Sequence, residues 1–84
     1  MLMHGPYPKT RAEIERIVLN ELQSVADCGG AVGVSIVPFL DAETGANWTV
    51  ACYDVGTANH YACDAAMQQI VPRMQGFYEL VQKH

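Results

Sequence analysis

The chain has 84 residues, half of them hydrophobic and 17% charged, with a formal net charge of -4. That apolar content excludes a disordered tail, and five basic residues against nine acidic ones exclude a non-specific nucleic-acid binder, which needs clustered Lys and Arg. No apolar run reaches the roughly 20 residues that cross a bilayer, so no membrane partner is expected.

A single domain over residues 1–84 is expected, with 1–9 as a loosely ordered arm. Met1 to Pro6 carry no positive region followed by a long apolar stretch, so a secretory signal is not expected and the cytoplasm is the expected compartment. Burying the apolar surface of so short a chain gains on the order of 125 kcal/mol, and ordering it costs about as much. A disulfide, a metal or a second subunit would tip that balance. The three cysteines, Cys28, Cys52 and Cys63, cannot all pair within one chain, and in a reducing compartment they read as free, buried thiols.

Thr10 to Ala26 reads as an amphipathic helix. Thr10 and Glu13 have the spacing of a capping box, in which the hydroxyl takes an orphan N–H and the carboxylate returns to the cap's own N–H. Ile14, Ile17, Val18, Leu22 and Val25 form one stripe at helical spacing, with Arg11 and Glu15 placed to pair outside it. Gly29 or Gly30 is expected to end the helix in the left-handed conformation. Ala31 to Phe39 and Asn47 to Asp54 read as two strands joined by the turn chemistry of Asp41 to Gly45. Alternation puts Val32, Val34, Ile36, Trp48, Val50 and Cys52 on the core face, with Trp48 as an anchor against the helices. It puts Val37, Phe39, Ala51 and Tyr53 on the other.

From about Ala58 to Val81 a longer stripe runs through Cys63, Ala66, Met67, Ile70, Met74, Phe77 and Val81, capped by Thr57 or Asn59. Pro72 inside it predicts a kink, so the segment is either one bent helix or two short ones. The fold expected is α+β in the order α-β-β-α, an antiparallel hairpin with two helices packed on one face.

The outer face of that hairpin is more apolar than a solvated face requires, and an uncovered two-stranded sheet is marginal. Val37, Phe39, Ala51 and Tyr53 are therefore the expected contacts of a homodimer, in a small binding module without catalysis or cofactor. The alternative is a metal- or thiol-dependent site. His60, Cys63 and Asp64 share the first turns of the second helix, where an imidazole could activate a thiol and a carboxylate could fix its tautomer. Cys28, Cys52, Cys63 and His60 are a possible zinc set, although no pair has the C-x2-C spacing of such sites. A groove at the Pro72 kink is a third place for a small ligand.

Asn47-Trp48, Gly56, Ala58, Ile70-Val71-Pro72 and Phe77-Tyr78-Glu79-Leu80 together resemble a group of short uncharacterised proteins of proteobacteria. In that group an amphipathic helix leads to an Asn-Trp strand, and a final helix closes on a Tyr-acid-Leu ending. The resemblance spans roughly residues 10 to 81. It implies one compact bacterial domain and no assigned activity.

Overall fold

The structure, a computed structural model, describes residues 6–81. It is an α+β fold with six elements: β1 (Tyr7–Lys9), α1 (Arg11–Gln23), β2 (Gly33–Pro38), β3 (Trp48–Asp54), α2 (His60–Phe77) and β4 (Tyr78–Leu80). The expected order α-β-β-α is thus its central part, and a short strand is added at each end. The expected arm is corrected at Tyr7–Lys9, which pairs in parallel with Tyr78–Leu80; residues 1–5 lie outside the described chain. β2 and β3 form the expected antiparallel hairpin as a separate two-stranded sheet.

α1 starts as its sequence dictates. Glu13 N–H donates to Thr10 Oγ1 at 3.2 Å, and Thr10 N–H donates to Glu13 Oε1 at 2.9 Å, so two orphan donors are satisfied at once. Ile14, Val18 and Leu22 are completely buried, and Ile17 and Val25 pack beside them. The left-handed residue after α1 is Asp27 (φ 72°), not Gly29 or Gly30. Gly30 serves space instead: a Cβ there would strike Thr57 Oγ1 and press on Ala58 N. Gly56, at φ 57°, is barred from carrying a side chain by the Gly30 carbonyl and by its own backbone angle. The loops before β2 and after β3 therefore cross in direct contact.

α2 is one 18-residue helix that runs through Pro72, capped by Asn59, whose Oδ1 accepts from Ala62 N–H at 2.9 Å. Its buried stripe is Cys63, Met67, Ile70 and Met74. The stripe ends earlier than the sequence pattern suggests. The chain turns extended at Tyr78 (φ -130°), which leaves Phe77 half exposed and buries Leu80 in its place.

The two small sheets are joined by side chains. Asn47 Nδ2 donates to Leu80 O and Asn47 Oδ1 accepts from Leu80 N–H, both at 2.9 Å. Next to it, the fully buried Trp48 donates its indole N–H to Tyr78 O at 2.9 Å. Trp48 is the anchor expected of it, packed with Ile36 and both helical stripes in one core.

The core face of the hairpin needs correction at Val32 and Cys52, which are exposed. Ser35 pairs with Cys52 but Ile36 pairs with Val50, so Ala51 has no partner and forms a β-bulge. One extra residue shifts the alternation beyond it. Val50 still points inward, Ala51 and Cys52 both face out, and Tyr53 turns toward the core.

Replacing Asn47 with Ala should cost about 1–3 kcal/mol, because both backbone groups of Leu80 lose their partner. Urea unfolding would show it as a lower midpoint at unchanged m-value. The capping box adds a pH dependence: the hydrogen bond from the Thr10 backbone holds the Glu13 carboxyl below its usual value. A lowered folded value means stability that is complete above the unfolded carboxylate range and lost as pH falls through the folded one. Since Gln also completes a capping box, Glu13→Gln should keep α1 and flatten that part of an acid titration followed by circular dichroism.

Candidate functional site

Once the bulge has turned Tyr53 inward, its phenol meets α2. Tyr53 donates a hydrogen bond to Asp64 Oδ1. The other carboxylate oxygen, Oδ2, lies 3.3 Å from His60 Nε2, one helical turn earlier. Asp64 is thus held between an imidazole on its own helix and a phenol on β3. At the opposite end of β3, Gln75 Nε2 donates to Trp48 O at 2.6 Å. Between these two tethers, helix and strand leave an open hollow at the surface.

The gap is a groove of about 330 Å³ lined by Val50, Tyr53, Asp64, Met67, Gln68 and Val71. Its floor is apolar, and its polar groups are a phenol, a carboxamide and one carboxylate. This volume falls at the lower end of the range for small-molecule sites, roughly 300–1,000 Å³. The hollow beside Pro72, with Thr44, Ala46, Gln75 and Gly76, measures only about 100 Å³.

The phenol donates its hydrogen bond to the carboxylate, and His60 is mostly exposed, with no thiol or hydroxyl among the described residues bonded to it. Cys63 points elsewhere. It is completely buried, with its Sγ 2.9 Å from Cys28 Sγ. The hydrogen bond shared with Cys63, together with burial, pushes the Cys28 thiol up to about 11. His60 and Cys63, neighbours in sequence, therefore serve different partners. Cys52, on the exposed outer side of the bulge, meets neither, and among the described residues no three His, Cys, Asp or Glu side chains gather as metal ligands.

Of the residues expected on the dimer face, Val37 is half-buried, Phe39 is 52% exposed and Ala51 is exposed, while Tyr53 belongs to the groove. A second hollow, of about 300 Å³, lies at the Gly33–Asp54 end of the hairpin, lined by Gly33, Val34, Ser35, Cys52, Asp54 and again Tyr53. Strand alternation alone misses Tyr53 as a groove residue, because a bulge at Ala51 leaves no mark in the pattern of apolar residues. The i, i+4 spacing of His60 and Asp64 is the one part of the site that the sequence announces. Among the described residues, no helix is long and apolar enough to cross a membrane.

Comparison of the chain with protein-family models, with curated proteins and with solved structures found no match.

Proposed function

We propose that the protein is a small non-catalytic binding module whose ligand site is the groove between β3 and α2. The observation that carries this reading is the composition of the groove wall. It has an apolar floor, and Asp64, at one end, is the one charged side chain among the described residues that line it. Such a wall suits a small amphipathic cation, with an ammonium group at Asp64 and a short aliphatic body over Val50, Met67 and Val71. The phenol of Tyr53 and the carboxamide of Gln68 supply further hydrogen-bond partners.

n-Pentylammonium is a minimal probe of that chemistry. Titrated at millimolar concentration, where a fragment of this size is expected to bind, it should shift the amide resonances of Val50, Tyr53, Gln68 and Val71. Asp64→Asn should weaken the response about tenfold, the order of a lost charge-assisted hydrogen bond. Shifts spread evenly over the surface, or an unchanged response in the variant, would remove the groove from consideration.

A second reading, self-association through the outer face of the hairpin, is favoured by two features at opposite ends of that face. Phe39 projects at one end of β2, and the hollow at Gly33 lies at the other. A two-fold axis between them would seat each phenylalanine over the partner's hollow, as an isologous contact requires. Sedimentation velocity across a dilution series should then show a dimer that Phe39→Ser dissociates while the circular dichroism spectrum is kept. A wild-type monomer at every concentration would end this reading and leave the groove untouched.

A further inference from the structure

The two buried thiols lie between segments that the fold already holds together. Cys28 follows α1, with its N–H donated to Val25 O at 3.0 Å and its carbonyl accepting from Ala31 N–H at 3.1 Å. Cys63 sits in the first turn of α2, its N–H donated to Asn59 O at 3.0 Å. Between the two backbones, Asn59 N–H donates to Asp27 O at 3.0 Å, so the residue before Cys28 is bonded to the cap of the helix that carries Cys63. The contact of Gly30 with Thr57 and Ala58 fixes the same junction a few residues on. With the sulfurs 2.9 Å apart, a disulfide needs them to close by only about 0.9 Å.

We propose that Cys28 and Cys63 form an oxidation site that closes as an intramolecular disulfide, the oxidant being a small-molecule disulfide such as oxidised glutathione. The thiolate of one cysteine attacks a sulfur of the oxidant, breaks its S–S bond and expels one thiolate, leaving a mixed disulfide on the protein. The second cysteine, as thiolate, attacks the protein sulfur of that mixed disulfide, forms the Cys28–Cys63 bond and expels the other thiolate. The two protons lost by the cysteines end on the two expelled thiolates. Two protein thiols and one small disulfide thus become one protein disulfide and two small thiols, with two electrons passing to the small molecule.

The chemistry is slow in the closed protein. Both sulfurs are completely buried, and the raised Cys28 thiol is almost wholly protonated at neutral pH, so exchange proceeds when the loop around Cys28 opens. The same burial shields the finished bond from reductants. Its closed loop, residues 28 to 63, contains the whole hairpin. A cross-link over so long a segment removes many unfolded conformations, which matters most in a chain whose burial and ordering terms nearly cancel.

The test uses the full chain carrying Cys52→Ser, which removes the exposed third thiol. The protein is equilibrated with oxidised glutathione, denatured in acid, treated with an alkylating reagent and weighed by intact mass spectrometry. The expected product is lighter by two hydrogens and takes no alkyl group, and peptide mapping joins Cys28 to Cys63. Its melting midpoint should exceed that of the reduced protein by roughly 10 °C or more. Two alkylated thiols after equilibration, or glutathione retained on the protein in place of the internal bond, would overturn the proposal. So would an oxidised form that melts below the reduced one.

Discussion

The hydrogen bonds that Asn47 and Trp48 send to the last strand hold the two halves of the fold together. Neither two-stranded sheet is large enough to stand alone. β1 and β4 share only three residue pairs, and the hairpin needs its inner face covered. The Asn47 side chain offers β4 a donor and an acceptor at peptide-like spacing, so β4 is bonded on both sides, to β1 by backbone and to the hairpin by a carboxamide. Trp48 adds its indole N–H one residue away while its ring fills the centre of the core. Each element that packs around Trp48, α1 and α2 included, does so against a position set by this join.

The same principle, a side chain closing what the backbone leaves open, protects the far edge of the hairpin. Ile36 N–H is taken by Glu15 Oε2 at 2.9 Å, and Pro38 has no N–H to offer. β2 therefore presents a poor template for another strand to extend the sheet.

What could be read from the sequence was what is local. The Thr10–Glu13 box, the Ile14–Val18–Leu22 stripe, the Asn59 cap and the Asp41–Gly45 turn each depend on residues a few positions apart, and each stands where its spacing puts it. The features that escaped are long-range or break a period. β1 and β4 are three residues each, too short to show alternation, and they exist because they find one another across the whole chain. Ala51 adds one residue to an otherwise regular strand, which moved Cys52 out and Tyr53 in. Without that shift there is no phenol at Asp64 and the groove loses one end. The approach of Cys28 to Cys63 depends on two loops crossing at Gly30 and Gly56, a tertiary fact that cysteine counting does not reach.

Because β1 and β4 run parallel, the chain enters the pair at Tyr7 and leaves it past Leu80 at the opposite end. A pull that separates those two points slides one strand along the other. All the bonds of the pair are loaded together, where an antiparallel pair pulled from one end would open bond by bond. The bonds from Asn47 and Trp48 lie on the other flank of β4 and resist the same displacement. This short strand pair thus acts as a shear clamp, stiffest along the direction in which tension through the described chain would act.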